Sequence, residues 1–154
     1  VARLNAWADE FQIPEKDFPR DKAALLALRE LDLDREESPL PKITWLPPEI
    51  WQLRQLQQLN LRENQLTTLP PEIAQLQQLQ VLDLRWNPFA TLPLEIAQLQ
   101  QLRELWLEGN QLSTLPAEIT QLRQLETLDI RNNPKLRLTP AQEQFLQGVK
   151  EVER

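Results

Sequence analysis

Apolar and polar residues follow two different spacings along this chain, always in the same order. A three-residue segment with leucine at both ends, such as 59–61, is followed by a turn and then by apolar residues three or four positions apart. Alternation at period two predicts a short strand with both leucines on one face, and the wider spacing predicts a short helix. Each helix begins with Leu-Pro-x-Glu-Ile, where proline loses no hydrogen bond and glutamate faces the positive helix end.

This strand-and-helix unit recurs without gaps at a period of 23 residues. The copies share the pattern LPxEIxxLxxLxxLxLxxNxL and cover 46–68, 69–91, 92–114 and 115–137. A degenerate copy covers 18–45 and contains a five-residue insertion within 35–42. One unit cannot bury its own leucines, so the units must stack. We therefore predict an α/β solenoid, a short horseshoe arc with a parallel sheet on its concave face and short helices on its convex face.

An asparagine follows the strand of every regular copy at the same offset. These residues are Asn64, Asn87, Asn110 and Asn133. An amide side chain both donates and accepts hydrogen bonds, so it can satisfy backbone groups in a buried turn. We assign the four asparagines to the fold and not to a ligand.

The ends of such a stack expose core leucines unless they are covered. Residues 1–17 carry one apolar helical face, composed of Leu4, Trp7, Ala8 and Phe11. From Thr139 the chain reads as a helix start, followed at helical spacing by Phe145, Leu146, Val149 and Val152. We predict helical caps over 1–17 and 138–154, and one domain spanning 1–154.

The repeated pattern resembles the leucine-rich repeat family, in the 23-residue LPxEI form common in bacterial proteins. The resemblance covers Phe18 to about Leu138, with four copies of a dozen fixed positions in register. It implies a recognition role, because such repeats occur alone, in signalling GTPases of the Roco type, and in effectors that carry a ubiquitin ligase domain. Neither a P-loop nor a cysteine nucleophile of such catalytic partners occurs in this chain.

The composition removes most catalytic chemistry. The chain has no His, Cys, Met or Tyr, two glycines, and only Ser38 and Ser113 as serines. Serine and cysteine triads, His/Cys metal sites, disulfides and glycine-rich phosphate loops are therefore excluded. A column of outward carboxylates, Asp32, Asp83 and Asp129, leaves an inverting glycosidase as a remote alternative. An open sheet offers no desolvated pocket to tune such acids, so we predict no enzyme, no cofactor and no metal.

The net charge is −6, the wrong sign for holding nucleic acid or anionic lipid. Charged residues or glutamines interrupt every leucine cluster, so we predict a soluble chain without a membrane span. We expect the protein in the cytoplasm, and the alternative is that it is a secreted or translocated effector. Because the chain starts at Val1 and lacks methionine, we expect a trimmed or processed product.

Two large aromatic residues, Trp86 and Trp106, occupy outward positions on adjacent repeats. Aromatic and arginine side chains are typical of interface hot spots. We predict a protein or peptide ligand anchored on these tryptophans and oriented by Val81, Asp83, Asp129, Arg62, Arg85 and Arg131. The alternative is structural: Trp86 folds over the turn at 88–89, and Trp106 only covers neighbouring side chains.

Two further tryptophans, Trp45 and Trp51, depart from the repeat consensus. We expect Trp51 at a partly exposed helix position and both residues packed against the insertion at 38–41, with a second binding patch as the alternative.

The function that follows is a non-catalytic, monomeric scaffold that binds a protein or peptide on its concave face. A structural or self-associating module, and the recognition domain of a larger signalling or effector protein, are the alternatives.

Overall fold

The chain forms one parallel sheet that grows by one strand per repeat. The structure, a computed structural model, describes residues 1–154. Its six strands pair in the order β1-β2-β3-β4-β5-β6. They are β1 (Glu30–Asp32), β2 (Gln58–Asn60), β3 (Val81–Asp83), β4 (Glu104–Trp106), β5 (Thr127–Asp129) and β6 (Glu151–Glu153). Consecutive strands are neighbours throughout, which confirms the predicted solenoid.

Short helices lie opposite the sheet, as predicted, but in the regular repeats they are 3₁₀ helices. Their ranges are Pro48–Gln52, Pro71–Gln75, Leu94–Gln98 and Ala117–Gln121. The leucine after each of these helices donates its backbone N–H to the carbonyl of the isoleucine three residues earlier, as Leu76 does to the Ile73 carbonyl at 3.0 Å. Only five residues fit between the proline and this leucine, so the chain takes the tighter winding.

The first, degenerate unit contains an α-helix, α2 (Lys22–Ala27), at the corresponding place. The Asp21 side chain begins it by accepting hydrogen bonds from the Ala23 and Ala24 N–H groups. A carboxylate at this position satisfies donors that have no partner within the helix.

The repeated leucines form one continuous core. The two inward residues of the strand segment are buried in every regular repeat; they are leucines, as Leu59 and Leu61 are, except for Ile130 in the last repeat. The core joins 39 buried residues from Leu4 to Val149. The repeated leucines therefore form the inner face of the stack.

The asparagines form the predicted column, and each one reaches back to the preceding repeat. The Asn87 Oδ1 accepts the Leu66 N–H at 3.0 Å, and its Nδ2 donates to the Leu61 carbonyl at 2.9 Å and to the Leu84 carbonyl at 3.2 Å. Asn64, Asn110 and Asn133 make the equivalent bonds. These amides satisfy turn groups that no strand reaches.

The N-terminal end is covered by α1 (Ala2–Glu10). Its predicted apolar face is buried, including Leu4 and Ala8. The Trp7 ring packs edge-on against Phe18 at 5.6 Å, and its indole N–H donates to the Trp45 carbonyl at 3.0 Å. This helix therefore docks on the first unit through apolar packing and through hydrogen bonds of Trp7, Asn5 and Asp9.

The expectation that Trp51 is partly exposed is wrong. Its side chain is 1% exposed and belongs to the core, so this position faces inward. Trp45 keeps 37% exposure and packs edge-on against Phe11, with its indole N–H 3.4 Å from Glu10 Oε1. Trp45 thus contacts the chain around the end of α1.

The insertion after β1 is held by a buried arginine. The Arg35 Nε donates to the Pro41 carbonyl at 3.3 Å, and Lys42 Nζ donates to the Arg35 carbonyl at 2.8 Å. Burial lowers the pKa of the Arg35 guanidinium, partly offset by nearby aspartates.

The C-terminal cap differs from the predicted helix in its second half. The α3 helix (Pro140–Leu146) begins with a capping box between Thr139 and Gln142, but it ends at Leu146. Helical spacing through Val149 and Val152 is a wrong prediction, because Val152 lies in β6 opposite Leu128. β5 would otherwise expose a row of backbone groups, and β6 pairs with that row. The cap is therefore a helix followed by a strand.

No helix has the length and apolar character needed to cross a membrane.

Candidate functional site

The outward side chains of β3, β4 and β5 meet at the centre of the sheet. The register places Trp106 directly between Asp83 and Asp129. Neighbouring strands lie about 4.8 Å apart, so these three side chains are immediate neighbours.

The Trp106 ring is held from two sides. Its indole N–H donates to Glu104 Oε2 at 3.1 Å, on the same strand. The Arg85 guanidinium carbon lies 5.1 Å from the ring centroid, within cation–π distance. A half-buried aromatic ring fixed in this way loses little conformational entropy when a ligand contacts it.

Asp83 fixes the Arg85 side chain. The Arg85 Nε lies 3.0 Å from both Asp83 carboxylate oxygens, and its Nη2 lies 2.5 Å from Oδ2. The Arg85 backbone N–H also donates to this carboxylate, at 3.0 Å. Hydrogen bonding to Asp83 raises the pKa of Arg85, against the opposing effect of burial. Its Nη1 remains as a donor directed at neither oxygen.

The same pair recurs two strands further on. Asp129 is completely buried, and its carboxylate accepts from Arg131 Nε at 3.0 Å, from Nη2 at 2.8 Å and from the backbone N–H at 3.1 Å. The bond to Asp129 raises the pKa of Arg131. Arg131 Nη2 also reaches Glu108 Oε2 at 3.4 Å. Asp83 therefore positions Arg85 over the Trp106 ring, and Asp129 positions Arg131 at the end of the next strand.

Trp86 packs against the next repeat. Its backbone is left-handed, with φ 57°, and its side chain is 39% exposed. A Cβ added at Gly109 would lie 2.2 Å from the Trp86 Cε3 atom, so the ring lies flat on this glycine. Glu63 and Asn132 have the same left-handed backbone at the equivalent positions of their repeats.

Arg62 and Val81 lie nearer the N-terminal end of the face. The Arg62 Nη2 donates to Glu36 Oε1 at 2.6 Å, which ties β2 to the insertion. Val81 lines a shallow cleft of about 190 Å³ together with Glu30 and Asp32. Val81 therefore borders a cleft and Arg62 is paired with the insertion, whereas the tryptophans and the other two arginines lie around β4.

Two residues that position the tryptophans escaped the sequence prediction. Glu104 precedes Trp106 by two residues on one strand, and that spacing places both side chains on one face. Gly109, one of only two glycines, stands one period after Trp86. The period-two and period-23 offsets were the signals that could have found them.

No group of three or more acidic side chains is arranged to hold a metal ion.

These features define a class of protein: a parallel-sheet solenoid with an open strand face and an asparagine column. The family model described as "Leucine-rich repeat region" matches residues 19–107, and "Leucine Rich repeats (2 copies)" matches residues 100–142. The chain belongs to the leucine-rich repeat family. No curated protein matches it in sequence.

Solved structures of other leucine-rich repeat proteins are similar. A protein of Leptospira interrogans is 36% identical with a TM-score of 0.56, and the match covers 80% of this chain and 38% of that one. The ectodomain of the receptor kinase SOBIR1 from Arabidopsis thaliana is 28% identical with a TM-score of 0.58, over 74% and 68%. An internalin of Listeria monocytogenes, 23% identical with a TM-score of 0.67 over 86% and 36%, shares the fold. The chain thus spans about two fifths of the Leptospira protein.

Proposed function

We propose that this chain is a recognition module that binds a protein or peptide on the outward face of its sheet. The clamped ring of Trp106 is the observation that carries this proposal. It stands at the centre of the face, held by Glu104 and Arg85, and the exposed Trp86 lies on the preceding repeat. Preorganised aromatic side chains at the centre of a face are typical of interface hot spots.

The arginines add direction to this apolar centre. Arg85 and Arg131 use Nε and Nη2 on their own aspartates, which leaves Nη1 of each for a ligand carbonyl or hydroxyl. Asp83 and Asp129 thus act by positioning these arginines, and Arg62 and Val81 extend the surface towards β2. A fixed donor on each side of Trp106 orients a peptide backbone across the strands.

We propose a binding role without catalysis. The Asp83 and Asp129 carboxylates each already accept from a guanidinium and a backbone N–H, so neither is a free general acid or base. The face is open, and catalytic carboxylates generally require a desolvated pocket.

The test is affinity capture from a lysate with matched surface variants. Trp86→Ala and Trp106→Ala, separately and together, are expected to abolish capture of the partner. Trp45→Ala and Leu94→Ala are the controls, because both remove exposed apolar side chains away from the sheet face. Loss of capture only in the face variants, with unchanged thermal unfolding, supports the proposal. Equal capture by the double variant contradicts it.

Self-association through the sheet edges is the alternative class of function. β1 and β6 end the strand order, and each leaves a row of backbone groups free of a strand partner. Both carry two acidic residues, Glu30 and Asp32 on β1, and Glu151 and Glu153 on β6. Like charges oppose edge pairing, which supports a monomer. Sedimentation over a range of concentrations tests this, since self-association predicts a mass that rises with concentration.

We further propose that residues 1–154 act as one recognition unit of the cytoplasm, alone or within a longer protein. Cell fractionation and immunoblotting of the native protein test both parts of this proposal.

A further inference from the structure

Charges on the sheet face are not evenly distributed. Every arginine of the face is neutralised within the chain: Arg62 by Glu36, Arg85 by Asp83, and Arg131 by Asp129. Carboxylates at the first and third strand positions have no such partner, and we call them the acidic band: Glu30, Asp32, Glu104, Glu151 and Glu153. The face therefore offers a partner uncompensated negative charge and no uncompensated positive charge.

The acidic band runs across the sheet beside the apolar centre. Its members on β1 line the shallow cleft that Val81 also borders. Its member on β4, Glu104, directly supports the Trp106 ring. Apolar contact on β3 and β4 is thus presented between unpaired carboxylates on β1, β4 and β6.

We infer that the occupant of this face is an extended, lysine- or arginine-rich segment of a partner protein. This inference rests on the proposed function and names the chemistry of its ligand. A cationic side chain satisfies the unpaired carboxylates, and its aliphatic stem covers Val81 and the edge of Trp106. An acidic segment meets like charge along the whole band, because the arginines that could receive it are already paired.

The dimensions of the sheet set the length of the segment. Six strands spaced about 4.8 Å apart span about 24 Å, which an extended chain covers with about seven or eight residues. In an extended chain alternate side chains share one face. Basic residues at every second position therefore all face the sheet, and the intervening residues face water.

The experiment uses the full chain and a fluorescein-labelled peptide of alternating lysine and serine, nine residues long, measured by fluorescence anisotropy. The band variant combines Glu30→Gln, Asp32→Asn and Glu104→Gln, which keep the hydrogen-bond acceptors and remove three charges. The control variant combines Glu72→Gln, Glu95→Gln and Glu118→Gln, which remove the same charge from equivalent positions opposite the sheet.

The band variant is expected to weaken binding about tenfold and the control variant less than about twofold, since close charges dominate over screened ones. Equal weakening in both variants overturns the inference, because it reports net charge alone. Two other outcomes also overturn the inference: no binding of the lysine peptide, or equal binding of a peptide with glutamate in place of lysine.

Trp106→Ala, measured in the same titration, separates this inference from the proposed function. If this variant weakens peptide binding and the band variant does not, the face binds peptides but not through basic residues. The conclusion is the same if the lysate yields a partner whose capture requires Trp106 but whose sequence contains no basic segment. If neither Trp86 nor Trp106 affects capture, the proposed function itself fails.

Discussion

At the residue scale, the buried asparagine after each strand replaces hydrogen bonds that a tight turn cannot form. One side chain serves an N–H and several carbonyls at once, and most of these groups are buried. Such a residue contributes less through the bonds it forms than through the buried groups it leaves unpaired when it is removed.

We expect Asn87→Ala to lower the free energy of unfolding by about 2–4 kcal/mol. The change leaves the Leu66 N–H without a partner in the core, and it removes one of the two amide donors to the Leu61 carbonyl, which keeps its bond from Asn64. Urea denaturation followed by circular dichroism measures the loss. Gln101→Ala, at an exposed position, is the control and should change stability by less than about 0.5 kcal/mol. Equal effects in the two variants would show that the column contributes nothing specific.

Trp86 and Gly109 form a pair of complementary shapes. We expect Gly109→Ala to cost about 2–3 kcal/mol, because its backbone has φ +70° and the new methyl group would overlap the Trp86 ring. In a Trp86→Ala background the same change should cost only about 1 kcal/mol, the backbone part alone. A double-mutant cycle by thermal unfolding measures this difference. Strictly additive effects would contradict the contact.

At the element scale, the C-terminal cap combines a helix that docks on the last repeat with a strand that extends the sheet. Gln142 links the helix to the repeat, because its Nε2 donates to the Leu115 and Pro116 carbonyls while its Oε1 accepts the Thr139 N–H. One buried side chain therefore both begins α3 and attaches it. Arg154, after β6, pairs with Glu143 of α3 and holds the pKa of that carboxyl below its usual value.

We expect Gln142→Ala to destabilise the chain by about 2 kcal/mol and Thr139→Ala by about 1 kcal/mol. The second change removes only one capping bond, whereas the first also leaves the Leu115 carbonyl unpaired and removes one of the two donors to the Pro116 carbonyl, which keeps the Ile119 N–H. Chemical denaturation of both variants measures the order. A larger loss in Thr139→Ala would show that capping, and not docking, dominates at this end.

The elements were predictable where local chemistry and the 23-residue period agreed. The strands, the asparagine column and the apolar face of α1 follow from spacing alone. Spacing alone did not predict that the short helices are 3₁₀ helices, because α and 3₁₀ helices bury the same Leu and Ile positions over a single turn. β6 was missed because Val152 fits both a helical spacing from Val149 and a strand position, and only the free edge of β5 decides between them.

At the scale of the whole molecule, stability comes from contacts between neighbouring repeats, as expected for a solenoid. The core is continuous, yet each unit touches only the one before and the one after. The outward face could be predicted as a surface for the same reason, since the period fixes which residues share it. The ion pairs within the face could not be predicted from the sequence. They depend on the way in which long side chains, such as that of Arg85, fold back onto their own strands.

We expect amide hydrogen exchange to be slowest in β3 and β4 and faster towards β1 and β6. End repeats have one neighbour fewer, so they open at lower free-energy cost than the centre. Exchange measured by mass spectrometry on peptides covering each strand provides the test. Uniform protection across all six strands would indicate all-or-none opening.

The direction in which the asparagines reach bears on how the protein is made. Every bond that Asn64, Asn87, Asn110 and Asn133 form to another repeat goes to the one nearer the N-terminus. Synthesis also begins at the N-terminus. Each amide therefore leaves the ribosome after all of its partners, and every turn can be completed as soon as its own asparagine emerges, without waiting for a later segment.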